Sequence, residues 1–190
     1  MPRIHILGPS GAGATSLGRA LAAALGVGQL DSDEALFLPT DPPYGALRPL
    51  AERRALLEAR LPAGEAWVLS GCVAGWEGAV AARCTLFVLL RLDRRPRLER
   101  LRRRERARFG RRLDPGGDMA AEHRAFLRWA ARYDTAGPEQ RSLALHEAWL
   151  ARWPAPVLRL DAGAPPAALL AAVLAHPSLS RSACSAPGMR

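Results

Sequence analysis

Residues 4–18 read IHILGPSGAGATSLG, and this stretch decides the fold. Three of its first four residues are apolar and predict a strand, while the residues after Thr15 carry leucine and alanine at helical spacing. Between strand and helix, residues 8–15 fit the pattern G-x-x-x-x-G-K-[ST] of phosphate-binding loops with one exception, because Ala14 stands where the pattern has lysine. A glycine turn between a strand and a helix is the context that this motif requires.

Such a loop binds phosphate through its backbone. Glycines let successive N–H groups turn inward as an anion nest, and the N-terminus of the following helix adds partial positive charge. The predicted nucleotide-binding residues are Gly8, Pro9, Ser10, Gly11, Ala12, Gly13, Ala14, Thr15 and Ser16. The missing ammonium group would have neutralised the β- and γ-phosphates during transfer. The loop therefore favours nucleotide binding more strongly than catalysis, and the alternative is a glycine-rich turn that binds nothing.

Length and composition predict one α/β domain of residues 1–175, followed by a disordered tail of residues 176–190. No apolar run reaches the length of a membrane span and no signal peptide is visible, so we expect a cytoplasmic protein without a membrane partner. The three cysteines, Cys72, Cys84 and Cys184, have no metal-ligand spacing and are expected to be free thiols.

All 27 basic residues are arginines, so no lysine elsewhere can replace the one missing at position 14. The net charge is +9, and eleven arginines fall between Arg94 and Arg112. This segment could bind nucleic acid, form a solvated helix with Leu98 and Leu101 facing the core, or form a mobile lid over a triphosphate. The upstream loop favours a lid at about residues 100–118, because guanidinium groups bind phosphate oxygens bidentately. The catalytic arginines expected there are Arg106, Arg111 and Arg112.

Two carboxylates end the second predicted strand, at the edge where open α/β sheets bind ligands. Asp31 and Thr15 are the expected ligands of Mg²⁺, and Asp33 is the expected base that accepts a proton from a substrate hydroxyl. The alternative for both acids is an acidic helix cap. Gly71 ends the third strand and would allow close approach of the substrate.

Strands alternating with helices predict a parallel, doubly wound sheet. We expect a proline-rich loop over residues 39–49 on the substrate side. Helices are expected over residues 76–83, 94–109 and 139–152, with Asp93 and Asp118 as helix caps.

The segments IHILGPSGAGATSLGRALA, LDSDE and WVLSG, with the arginine-rich helix before a glycine turn, resemble the adenylate-kinase-like and shikimate-kinase-like branch of P-loop kinases. Within it, the chain is similar to small bacterial adenylate-kinase-related P-loop ATPases. The resemblance implies a three-layer P-loop NTPase fold of sheet order 2-3-1-4-5, ATP or another nucleoside triphosphate on the loop, and a lid after the fourth strand. LDSD is similar to the shikimate-kinase pattern in which two aspartates contact Mg²⁺ and the acceptor hydroxyl. The chain departs from the family at Ala14 and in lacking an arginine directly after Gly71.

Two functions follow from this pattern. The first is an ATP-dependent phosphotransferase, with Mg²⁺, acting on a nucleotide or another small hydroxyl-bearing molecule. The second is a nucleotide-binding sensor or partner protein whose transfer activity was lost with the lysine.

Overall fold

The computed structural model describes residues 1–180. The strands are β1 (Arg3–Leu7), β2 (Gly28–Asp31), β3 (Trp67–Ser70), β4 (Leu86–Arg91) and β5 (Val157–Asp161). The helices are α1 (Ala14–Leu25), α2 (Ser32–Leu36), α3 (Leu50–Arg60), α4 (Arg94–Phe109), α5 (Ala120–Ala131), α6 (Leu143–Leu150), α7 (Pro166–Leu174) and α8 (Pro177–Ser180).

The strands form one parallel sheet in the order β2-β3-β1-β4-β5, which confirms the expected order. Strand β1 is central, and its Ile4 pairs with Val68 of β3 on one side and Leu86 of β4 on the other. Because all strands run the same way, their carboxyl ends meet at one edge, where the glycine loop and Asp31 also lie.

Helices cover both faces of the sheet, as alternate side chains of the buried strands require. Ile4 and Ile6 belong to the core cluster that α1 and α7 complete. Leu7 belongs to the opposite cluster, to which α3 contributes Leu57 and α6 contributes Trp149. The three-layer α/β architecture is therefore confirmed.

Helix α4 begins and ends where the sequence predicts, and it packs against α5. Leu98 and Leu101 are buried and form a small cluster with Ala130, so the expected inward face of the arginine-rich helix is confirmed. A short 3-10 turn over Gly110–Leu113 joins α4 to the glycine turn that precedes α5.

Several local expectations were wrong. Residues 76–83 form turns that end in a 3-10 turn at Ala81–Arg83. The helix expected over residues 139–152 is α6, and it begins only at Leu143. The hydroxyl of Ser142 accepts a hydrogen bond from the N–H of Leu145 (3.0 Å) and caps the helix there. Asp93 stands at the cap position of α4 without a side-chain capping bond, and Asp118 bonds Arg112 instead of capping α5.

In the expected tail, residues 177–180 form α8, and the remainder lies outside the described residues. Cys72 and Cys84 are buried and unbonded to each other, while Cys184 also lies outside the described part. Within residues 1–180, no helix combines the length and apolarity that a membrane crossing requires.

Candidate functional site

The glycine loop follows β1 and fits tightly against the elements behind it. A side chain at Gly8 would place its Cβ 2.7 Å from the carbonyl oxygen of Leu90 in β4. A Cβ at Gly11, where φ is +88°, would lie 2.9 Å from the carbonyl oxygen of Arg97 and 2.9 Å from Cγ of Leu101. Glycine is required at both positions, and α4 lies directly against the loop.

The front of the loop is open. Gly13 has φ +96° and precedes the first turn of α1, and no atom lies within 4 Å of the place where its Cβ would be. The N–H of Ala12 bonds the carbonyl of Pro9 (3.0 Å), which closes the turn behind this space. Backbone at positive φ beside a helix N-terminus is the arrangement that binds phosphate anions.

Ala14 is the first residue of α1 and is half-buried, so the position that carries lysine in the motif holds only a methyl group. Ser16 is exposed on the same turn, whereas Pro9 and Ala12 are buried behind the loop.

Thr15 and Asp31, the predicted metal ligands, are in contact. The hydroxyl of Thr15 donates a hydrogen bond to Oδ2 of Asp31 at 2.6 Å. The other oxygen of Asp31, Oδ1, accepts from the N–H of Asp33 at 3.0 Å, so Asp31 also caps α2. The capping interpretation of Asp31 is confirmed, and the same carboxylate presents an oxygen beside the loop; its binding of Mg²⁺ stays a prediction. A hydroxyl and a carboxylate oxygen are ligands that fit Mg²⁺.

Asp33 occupies a half-buried position one residue into α2. Burial raises the pKa of its carboxyl group, and the charge of Asp31 raises it further. The guanidinium groups of Arg141, Arg104 and Arg108 lower the pKa of Asp33 and partly offset the burial. A carboxylate with a raised pKa is a stronger base than an exposed one, which suits proton abstraction from a hydroxyl.

Gly71 lies at the end of β3, next to α2. Its φ is +101°, and a Cβ would be 2.0 Å from the hydroxyl of Ser32. Its carbonyl oxygen is 2.8 Å from Nε2 of the fully buried His5 in β1. Burial lowers the pKa of His5 to about 4, although the hydrogen bond to Gly71 and the charge of Glu77 raise it, so the imidazole is neutral at pH 7. His5 is thus a packed core histidine.

Of the three arginines that the sequence predicts as catalytic, Arg106 lies near the end of α4, and Arg111 and Arg112 lie in the 3-10 turn that follows. Arg106 bonds the carbonyl of Gly110 (3.1 Å) and pairs with Asp114. Arg112 pairs with Asp118 (2.6 Å) and with Asp41 (2.7 Å), and these hydrogen bonds raise its pKa. Arg111 is exposed in the 3-10 turn. Their contacts with phosphate stay a prediction.

Three arginines place charge on Asp33, namely Arg141, Arg104 and Arg108. The sequence placed Arg104 and Arg108 in the expected lid without singling them out, and it missed Arg141. The signal for Arg104 and Arg108 was helical spacing: Arg97, Leu101, Arg104 and Arg108 recur every three or four residues, so they share one face of α4. Arg141 precedes α6, more than a hundred residues after Asp33, and no local pattern connects them.

The proline-rich segment after α2 contacts the end of α4. Residues 37–49, here called the arm, are held as a narrow loop by the pairing of Phe37 with Leu47. The guanidinium of Arg108 bonds the hydroxyl of Tyr44 and lies 5.3 Å from the centre of its ring. With the pair between Arg112 and Asp41, two contacts join the arm to the arginine segment.

A cleft of about 440 Å³ opens at the carboxyl ends of β4 and β5, at the same sheet edge as the loop. Its lining includes Leu92, Asp93 and Pro96 from the start of α4 and Asp161 and Gly163 after β5.

Comparison with known proteins gives one close relative and several distant structures. No family model matches the chain. Over 158 residues it is 43% identical to the uncharacterized protein YqaC of Bacillus subtilis strain 168, covering 83% of this chain and 87% of that protein. A sugar kinase from Janibacter sp. superposes with a TM-score of 0.51 at 14% identity, covering 98% of this chain and 99% of that one. A shikimate kinase from Bacteroides thetaiotaomicron superposes with a TM-score of 0.50 at 18% identity, covering 91% of this chain and 96% of that one. At these identities the two structures show the fold alone.

Proposed function

Because the chain belongs to the same family as the Bacillus subtilis protein YqaC and has the fold of P-loop kinases, we propose that it is a magnesium-dependent phosphotransferase. Its donor is ATP or another nucleoside triphosphate, and its acceptor is a nucleotide or another small molecule with a hydroxyl group. The observation that carries the proposal is the hydrogen-bonded row from Thr15 through Asp31 to Asp33, which begins at the open side of the glycine loop.

The loop would bind the phosphates of the donor through backbone N–H groups, with the open space at Gly13 accommodating their oxygens. Thr15 and Asp31 would hold Mg²⁺, which supplies positive charge to the phosphate oxygens when bound. The cleft beside β4 and β5 opens at the same sheet edge as the loop and is the place we expect the nucleoside to occupy.

Asp33 would act on the acceptor. Its carboxylate accepts the proton of the acceptor hydroxyl as the acceptor oxygen forms a bond to the terminal phosphorus, and the bond to the bridging oxygen of the donor breaks to release the diphosphate. The raised pKa of Asp33 favours this proton transfer, and Gly71 leaves the neighbouring space without a side chain. Arg141, Arg104 and Arg108 surround Asp33 with positive charge that suits an anionic reaction centre.

Ala14 supports the second candidate, a nucleotide-binding sensor or partner with negligible transfer. Loss of one preorganised charge at a transition state costs about 3–4 kcal/mol, or two to three decades of rate. A chain that kept the backbone nest and lost that charge would still bind a nucleotide.

The test combines calorimetric titration with a transfer assay. The wild-type chain is titrated with ATP, GTP and ADP, with and without Mg²⁺, and transfer is then followed by ³¹P NMR with nucleoside monophosphates, sugars and shikimate as acceptors. We expect Asp33→Asn to keep triphosphate binding and to lower transfer about 10²- to 10⁴-fold, since the general base is removed. The control is Glu34→Gln, which changes the exposed neighbouring acid.

Three outcomes separate the candidates. Transfer that depends on Asp33 supports the kinase. Triphosphate binding without transfer to any acceptor favours the sensor. A wild-type chain that binds no nucleotide contradicts both.

A further inference from the structure

The position of α4 against the glycine loop is fixed by a buried arginine. The backbone of Arg97 and the side chain of Leu101 lie against Gly11, at the distances that exclude a Cβ there. The guanidinium of Arg97 is fully buried, and it bonds Asp134 (2.9 Å) and the carbonyl of Ala130 (3.2 Å) on the α5 side. The guanidinium of Arg97 is thus bonded inside the core, and these bonds hold α4 against α5 while the backbone of Arg97 contacts the loop.

Arg104 is the next arginine on this face. It follows Leu101 by three residues and Arg97 by seven, which is two turns of an α-helix, so it lies on the loop side of α4 one turn further on. The charge of Arg104 also lowers the pKa of Asp33, as do the charges of Arg141 and Arg108. The N–H of Asp33 is bonded to Asp31, and Asp31 contacts Thr15 in the loop.

The guanidinium of Arg104 is oriented by one neighbour. Its Nε donates to Oε1 of Glu105 at 2.8 Å, its Nη2 lies 2.7 Å from the same oxygen, and Glu105 is only 7% exposed. Half of the Arg104 side chain is exposed, and Nη1 has no hydrogen-bond partner among residues 1–180. A guanidinium held along one edge can still donate from the other, which is how arginine binds a phosphate while paired to a carboxylate.

We propose that Arg104 supplies to the terminal phosphate of the donor the positive charge that position 14 lacks. The inference rests on the proposed function, because it requires a triphosphate on the loop. Three other arginines of this segment are engaged elsewhere: Arg97 in the core, Arg108 on Tyr44, and Arg112 on Asp41 and Asp118. Arg141, whose charge also acts on Asp33, lies over the ring of Trp129 at 5.6 Å. Since the chain contains no lysine, a side-chain cation for this space must be an arginine, and Arg104 is the candidate on the loop side of α4.

A double-mutant cycle between positions 14 and 104 tests the proposal. The variants are Arg104→Gln, Ala14→Lys and the combination of the two, and the measured quantities are the Kd values for Mg²⁺ with the non-hydrolysable analogue AMP-PNP and with ADP. We expect Arg104→Gln to weaken the binding of AMP-PNP about 10- to 100-fold, because a charge-assisted hydrogen bond is lost. The binding of ADP should weaken less than about 3-fold. In the Ala14→Lys background the same substitution should cost less than about 3-fold, because the lysine carries the charge.

The control is Arg95→Gln. Arg95 lies on the same helix, nine residues before Arg104 and hence on the opposite face, and its side chain is 91% exposed. An Arg104→Gln variant that behaves like the control, or that weakens ADP and AMP-PNP equally, overturns the proposal. The proposal is also overturned if Arg104→Gln weakens AMP-PNP binding by the same factor in the wild type and in the Ala14→Lys background. In each of these cases the wild-type chain still binds AMP-PNP and the proposed function stands, whereas a wild-type chain that binds neither nucleotide removes both.

Discussion

The glycine loop and the arginine helix α4 adjoin each other and are built by different forces. The loop is shaped by backbone contacts, with Gly8 against Leu90 and Gly11 against α4, and its open side carries no side chain at Gly13. The exposed arginines of α4 and the 3-10 turn are placed by ion pairs with carboxylates such as Asp114 and Asp118. A backbone site has its geometry before a ligand arrives, whereas exposed ion pairs are weak and screened by salt. We therefore expect the first region to be rigid and the second to be adaptable.

Substitution in the backbone site should have the largest effect. We expect Gly13→Val to abolish binding of Mg²⁺ with ATP, at least 100-fold in Kd, because valine at φ +96° is strained and its side chain would fill the space left for phosphate. Calorimetric titration measures the loss.

Gly26→Val is the matched control. Gly26 also has positive φ (+66°) and open space at its Cβ position, and it caps the other end of α1, away from the loop. This variant should lose stability by about 1 kcal/mol and keep its nucleotide affinity. Unchanged affinity in Gly13→Val would contradict the assignment of the loop.

The adaptable region should respond to the ligand. We propose that residues 100–118 act as a lid, and we expect amide hydrogen exchange across them to slow several-fold when Mg²⁺ and AMP-PNP are added, since phosphate charge orders the arginines. Mass spectrometry of peptic peptides measures the protection, and residues 14–25 of α1 serve as the internal comparison.

Nucleic acid provides the opposing outcome for this segment. Protection of residues 100–118 by duplex DNA or RNA, with steep salt dependence and no protection by nucleotide, would replace the lid with a nucleic-acid surface.

The smallest expected effect concerns the two buried histidines, His5 and His146. Burial lowers the pKa of His5 to about 4 and, with the charges of Arg141 and His5, that of His146 to about 3, against 6.5 in an unfolded chain. The unfolded state therefore binds more protons below pH 6.5, and the stabilisation from the neutral imidazoles is complete above that pH and is lost as pH falls towards 4. Urea unfolding at pH 7.5 and 5.0 should show a loss of up to about 1.4 kcal/mol per pH unit for each histidine.

The variant His5→Phe should flatten this dependence, because it removes one of the two titrating groups and remains apolar beside Phe87 and Trp149. Equal slopes for the wild type and this variant would mean that His5 is not held neutral by the fold.

The sequence predicted the parts of the molecule that local rules determine. The loop, the parallel sheet and the contact of Thr15 with Asp31 follow from glycine positions, apolar periodicity and the meeting of strand ends. The charges around Asp33 could not be predicted in the same way, because which arginine faces it depends on how α4 docks on Gly11. Asp118 pairs with Arg112 rather than capping α5. An ion pair within the turn thus took the place of a helix cap worth about 1 kcal/mol.

One carboxylate connects the two halves of the proposed reaction. Oδ2 of Asp31 bonds the Thr15 hydroxyl, and Oδ1 of the same group bonds the N–H of Asp33. A cation that draws Oδ2 towards the loop must rotate or shift the whole group, and Oδ1 moves with it. If Mg²⁺ binds as proposed, donor binding would therefore alter the hydrogen bond that the same carboxylate makes to the N–H of the base.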